Sequence, residues 1–150
     1  MRITTKGRYG LRAVLYLASS YFNRPVSIKT IAAQENISPE FLEQIFFKLK
    51  KKGIINSLRG PGGGFVLSKK TSEITIMDIL DALGESVYIV PCTDSEEQCE
   101  REEVCLANKI WNDLSCLIKE YLTRLTIKDV LDKKGKKYYE GLKAGQNFSI

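Results

Sequence analysis

The chain has 150 residues, 43% of them hydrophobic, which is room for one compact domain or for a small domain with an oligomerisation element. It has no histidine, so the commonest general base is missing, and a metal site must draw on sulfur, carboxylate or non-protein ligands. The net charge of +5 is unevenly spread: residues 1–72 hold 13 Lys/Arg against 3 Asp/Glu, and residues 73–150 hold 10 against 15, so the halves carry +10 and −5.

The basic half is expected to meet a polyanion, since neutralised phosphates supply most non-specific affinity for nucleic acid. Met1–Arg8 contains no apolar core of a signal peptide, and no segment approaches the ~20 apolar residues of a membrane span. A cytoplasmic chain without a membrane partner is the expectation.

Along residues 8–22, Leu11, Val14, Leu15, Ala18 and Phe22 recur at three- and four-residue spacing, which predicts a core-facing helix ended by Asn23-Arg24-Pro25. Ser27 can cap a short helix through Ala33. Glu35-Asn36-Ile37 then makes a tight turn, and Ser38-Pro39 supplies the hydroxyl and first-turn proline of a new helix. That helix carries Phe41, Leu42, Ile45, Phe46 and Leu49 on one side and closes at Lys52-Gly53. Two helices joined by a short turn read as a helix-turn-helix with a recognition helix over 38–52; the plainer alternative is an amphipathic core helix with solvated lysines.

The segment that follows favours the recognition helix. Ile54–Leu58 and Phe65–Leu67 are β-prone runs around Arg59-Gly60-Pro61-Gly62-Gly63-Gly64, predicting a two-stranded wing. The loop is not a nucleotide cradle, because Gly64 leads to Phe65 instead of the Lys-Ser/Thr of a Walker loop. Arg59 beside the open amides of Gly60 and Gly62 suits a minor groove or a phosphate. In the recognition helix the early residues Ser38, Pro39, Glu43 and Gln44 are the candidates for base edges. Gln44 can bond adenine bidentately, while Glu43 either accepts from cytosine N4 or is a solvated surface carboxylate.

Ser72–Gly84 predicts a helix with Ile76, Ile79, Leu80 and Leu83 inward. Beyond the apolar run Val87–Val90 lies an acidic loop, 92–105, with three of the four cysteines: Cys92, Cys99 and Cys105, separated by six and then five residues. The spacing matches neither a zinc ribbon nor a ferredoxin run. An iron–sulfur cluster leads this reading, with zinc, reactive thiols and inert cysteines as alternatives. Asp94, Glu96, Glu97, Glu100, Glu102 and Glu103 against Arg101 favour a bound cation over free thiolates.

A long helix then carries Leu106, Ile110, Leu114, Leu117, Tyr121 and Leu125 in one narrow stripe, as a seam with a second copy would. Cys116, about 16 Å along that helix from Cys105 at ~1.5 Å per residue, is too far to share a cluster and is expected to be buried. Asn108, one turn from Cys105, is a nearby position for a fourth ligand, but an amide is a weak one, which leaves a nearby carboxylate, a small molecule or a group from the partner subunit as alternatives. Thr126–Asp129 can cap a last short helix, and 133–150 reads as a polar, mobile tail.

The opening Met-Arg-Ile-Thr-Thr-Lys-Gly-Arg-Tyr-Gly, the Ser38–Gln44 segment ending Phe-Leu-Glu-Gln, Arg-Gly-Pro-Gly-Gly-Gly-Phe and the three cysteines together resemble the IscR/NsrR/CymR family over roughly residues 1–132. The IscR branch is the nearest. The resemblance implies a homodimeric winged-helix transcription regulator binding double-stranded operator DNA, with an iron–sulfur cluster, 2Fe–2S in preference to 4Fe–4S, on Cys92, Cys99 and Cys105. It also places Ser38, Glu43, Gln44 and Arg59 where that branch reads DNA. Two departures stand out: the loop between the first two cysteines is one residue longer, and Asn108 replaces the branch's histidine ligand. The CymR branch shares the first half and a tyrosine-containing tail but lacks the cysteine loop.

The expected architecture is therefore mainly α with a small β wing: a winged helix-turn-helix over 1–72, then a linker helix, cysteine loop and dimerisation helix over 73–132, and the tail. The expected function is DNA-binding regulation controlled by the cluster. The rivals are a cluster-free repressor sensing thiol oxidation or cysteine metabolism through a partner, and, remotely, a small cysteine-dependent oxidoreductase, for which no pocket motif is visible.

Overall fold

The computed structural model describes residues 3–19, 24–93, 99–101 and 104–132. Six α-helices and a two-stranded sheet account for them: α1 (Thr5–Ser19), α2 (Ile28–Glu35), α3 (Pro39–Lys51), β1 (Ile55–Leu58), β2 (Gly64–Leu67), α4 (Ile76–Leu83), α5 (Leu106–Arg124) and α6 (Ile127–Asp132). Helix α1 starts three residues before the periodicity suggested, because the Thr4 hydroxyl accepts from the Gly7 amide at 3.3 Å and so caps it. Phe22 and Asn23 of the predicted helix end lie outside the described residues.

The helix-turn-helix forms as its caps dictate. Ser27 accepts from the Thr30 amide to begin α2, and Asn36 ends it in the left-handed region at φ 52°, a conformation that asparagine tolerates better than most residues. Ile37 is buried under the turn, and the Ser38 hydroxyl accepts from the Phe41 amide at 3.3 Å with Pro39 in the first turn of α3. Helix α3 buries Leu42, Ile45, Phe46 and Leu49, and Lys48, Lys50 and Lys51 lie at its negative C-terminal end.

The two strands pair antiparallel, Ile55 with Leu67 through Leu58 with Gly64. The second strand is held twice at Phe65. Val26 and Phe65 exchange backbone hydrogen bonds of 2.8 and 3.0 Å, and the Phe65 ring meets Phe46 edge-on with centroids 4.8 Å apart, a contact worth about 0.5–1.5 kcal/mol beyond area burial.

Helix α4 is shorter than the run Ser72–Gly84 suggested. Thr75 and Asp78 form a reciprocal capping box, and Gly84 closes the helix. Ile74 and Thr75 instead stay outside the helix, in a bridge between Thr75 and Thr126 in which Ile76 donates to the Leu125 carbonyl at 2.8 Å and Ile127 donates to that of Ile74 at 2.9 Å. This pairing draws the far end of α5 back to the first half. Ile74, Ile76, Ile79, Leu80, Leu83 and Ile127 consequently join Val14, Ile31, Leu42, Ile45 and Phe46 in one apolar cluster. The core does not break at residue 72. Thr126 and Asp129 cap α6 reciprocally, as their spacing suggested. The tail, 133–150, lies outside the described residues.

Candidate nucleic-acid interface and cysteine loop

Ser38, Pro39, Glu43 and Gln44 are all exposed in the N-terminal half of α3. The wing packs on the C-terminal half of the same helix, through Phe46 and Lys50. Arg59, Gly60 and Gly62 are exposed, and positive φ values of 99° and 76° at the two glycines produce a tight turn that a side chain would strain. Phe46 meets Phe65 of β2, and Lys50 Nζ donates to the Ser57 hydroxyl at 2.6 Å, so the wing is packed against α3. The packed pair thus presents a helix end and an arginine-tipped hairpin.

A pair of lysines joins α1 to α3. Lys6 on α1 reaches Lys48 on α3, and that contact, followed by the charge of the Lys6 ammonium, holds Lys48 below the ordinary lysine value; Glu85 works in the opposite direction. An anion placed against the pair would relieve the repulsion. Sequence reading missed this pair because its members come from two helices, 42 residues apart.

Glu85, one residue beyond α4, was not foreseen either. It is buried, and its carboxylate accepts from the Thr4 amide at 2.9 Å and from the Thr4 hydroxyl at the start of α1. Helix α1 has no acidic residue in its own first turn, so a carboxylate from the chain following α4 serves its positive end. Gly7 makes room: a Cβ there would stand 2.7 Å from Glu85 Cγ and Cδ. The segment leading to the cysteine loop is thereby tied to the helix that supports α3.

Cys92 lies in a 3-10 turn, Pro91–Thr93, and Cys105 occupies the N-cap position of α5 with no side-chain cap hydrogen bond. Cys92, Cys99 and Cys105 are partly buried free thiols. Asn108 is buried. Its Nδ2 donates to the Cys92 carbonyl at 3.2 Å and its Oδ1 accepts from Asn112, so the carboxamide ties the start of the loop to the first turn of α5. Ser115 adds a second tie by accepting from the Ile89 amide at 3.4 Å.

Three thiols on one acidic loop fit an iron–sulfur cluster in the kind of donor they offer. Among the described residues no three Cys, Asp or Glu side chains gather closely enough to hold a metal ion. The loop acids Asp94, Glu96, Glu97, Glu102 and Glu103 lie outside those residues. Cys116, expected to be buried, is exposed. The reason is that α5 turns Asn108 and Ser115 inward and leaves Leu106, Ile110, Leu114, Leu117 and Tyr121 exposed. No helix among the described residues is long and apolar enough to cross a membrane.

Residues 3–133 match the Rrf2 family, described as an iron-dependent transcriptional regulator. The chain is 41% identical over 131 residues to a helix-turn-helix-type transcriptional regulator, ORF2, of Azotobacter vinelandii, covering 87% of this chain and 79% of that one. It is 37% identical over 134 residues to the transcriptional regulator IscR of Pectobacterium atrosepticum, covering 89% and 81%. Its fold is similar to that of CymR, the global cysteine regulator of B. subtilis, with a TM-score of 0.74, 32% identity and coverage of 89% and 98%. The mainly helical winged-helix fold and these relationships identify the chain as a transcriptional regulator belonging to the Rrf2 family.

Proposed function

We propose that the chain is a homodimeric, sequence-specific DNA-binding regulator whose operator affinity is controlled by an iron–sulfur cluster on Cys92, Cys99 and Cys105. The observation that carries the DNA half is the packing of α3, which exposes Ser38, Pro39, Glu43 and Gln44, against the Arg59-tipped wing through Phe46 and Phe65. Helix α3 enters a major groove, its early side chains reach base edges, and Arg59 takes the adjacent minor groove or its phosphates. The exposed stripe from Leu106 to Tyr121 supports a second copy across α5, so that two recognition helices face half-sites one DNA turn apart.

For the cluster, three thiolates are the donor set, and its iron would make operator affinity answer to redox or metal supply. The IscR-named relatives support a cluster without fixing its type; the 2Fe–2S form is our preference from the resemblance of the cysteine loop to the IscR branch. Asn108 serves the reading better as the clamp on Cys92 than as a free fourth ligand, because both ends of its carboxamide are already bonded. Cys92 lies seven residues along the chain from Glu85, which is bonded to Thr4, and through that connection a change in loop shape would bias the seating of α1.

The test is anaerobic purification followed by iron and sulfide assay, visible absorption, and DNA affinity of the loaded and stripped protein. Bound iron and sulfide, with affinity differing between the two forms, are expected. A protein that stays colourless after reconstitution overturns the cluster reading and leaves a second one, favoured by the likeness to CymR: a cluster-free regulator of thiol oxidation or cysteine metabolism. Operator control that survives without metal and vanishes in the Cys92/Cys99/Cys105 triple serine variant would identify thiol oxidation as its signal.

A further inference from the structure

Phe47 is 70% exposed, although its neighbours Phe46 and Ile45 are fully buried. Its direction is set by the helix: at about 100° per residue it lies about 40° from Glu43 and about 60° from Gln44, on the meridian between them. It is about 150° round from the centre of the buried row Leu42, Ile45, Phe46 and Leu49 on the same measure. Helical side chains lean toward the N-terminus, so a residue at 47 covers the turn that carries Glu43 and Gln44.

An apolar ring here gains nothing from the fold, and lysines of the same helix, Lys48 and Lys51, are exposed beside it. That combination suits a surface bearing both phosphates and an apolar group. In a DNA major groove the apolar group is the C5 methyl of thymine, which phenylalanine can contact.

We propose that Phe47 is a specificity-determining residue whose ring packs on a thymine methyl in the major groove, beside the bases reached by Glu43 and Gln44. The inference rests on the DNA-binding reading above. It makes the preference at that base pair an apolar one, separable from hydrogen bonding.

The experiment selects binding sites for the full chain from a random-sequence duplex DNA pool, then measures affinity for the selected duplex with each thymidine replaced in turn by deoxyuridine, which lacks only the methyl. We expect one such replacement per half-site to weaken binding about fourfold, the worth of one buried methyl-sized group. Phe47→Ala should bind the thymidine and deoxyuridine duplexes equally, Phe47→Leu should keep part of the difference, and the melting temperature of both variants should stay near that of the parent. If no sequence is enriched, the DNA-binding reading and this inference fall together. If a sequence is enriched but no deoxyuridine replacement matters, or if Phe47→Ala keeps the full discrimination, only the inference about Phe47 falls.

Discussion

Arg59 stands on a turn that has no apolar anchor of its own, so its contribution to the fold is small and its contribution to binding can be measured cleanly. Arg59→Ala should weaken binding to a selected duplex about tenfold or more, as loss of one charged groove contact does, while sedimentation shows an unchanged oligomer. Unchanged affinity would remove the wing from the interface. Glu85 is the opposite case, a buried carboxylate whose two bonds to Thr4 serve the fold. Glu85→Gln keeps the shape but replaces charge-assisted bonds with weaker ones, so urea unfolding should show a loss of roughly 1–3 kcal/mol. A full-stability variant would show that the carboxylate does not hold α1. Both residues are polar and lie near glycines, and nothing local in the sequence separates the exposed arginine from the buried glutamate.

Among the elements, α3 combines two roles at its first residue. The Ser38 hydroxyl caps the helix and is also a candidate for base contact. Two substitutions separate these roles, since alanine at an N-cap costs ~1 kcal/mol and glycine only a few tenths. Ser38→Ala should lower the unfolding free energy more than Ser38→Gly, whereas both should lose DNA affinity equally if the hydroxyl reads DNA. If affinity instead follows stability across the two variants, the hydroxyl is a cap only. Helices α2, α3 and α6 were legible from caps and spacing because those signals act within a few residues. Helix α4 began later than expected, because residues 74–76 are taken by backbone bonds to the strand-like stretch 125–127, some 50 residues away.

For the whole molecule, the questions are what covers α5 and how its two ends relate to the DNA-binding half. Leu114 and Leu117 are 40% and 61% exposed, so charge can be introduced there without opening the core of the chain. Leu114→Glu with Leu117→Glu should convert the proposed dimer to a folded monomer, with circular dichroism unchanged and the sedimentation coefficient reduced. Such a monomer should also bind a two-half-site duplex far more weakly, because the two recognition helices would no longer be linked. A doubly substituted chain that still dimerises would place the seam elsewhere.

The winged helix-turn-helix and the candidates Ser38, Pro39, Glu43, Gln44 and Arg59 were legible before any packing, because caps, turn glycines and apolar period are local signals, and the family was legible in the motifs that carry the resemblance. Tertiary structure alone decided that α4 and α6 share the core of the first half, that Glu85 closes onto Thr4, and that Asn108 is bonded to Cys92 and Asn112. It also turned Cys116 outward. Each of these depends on which face of a helix meets a partner distant in sequence, and periodicity states that a face exists without stating what will cover it.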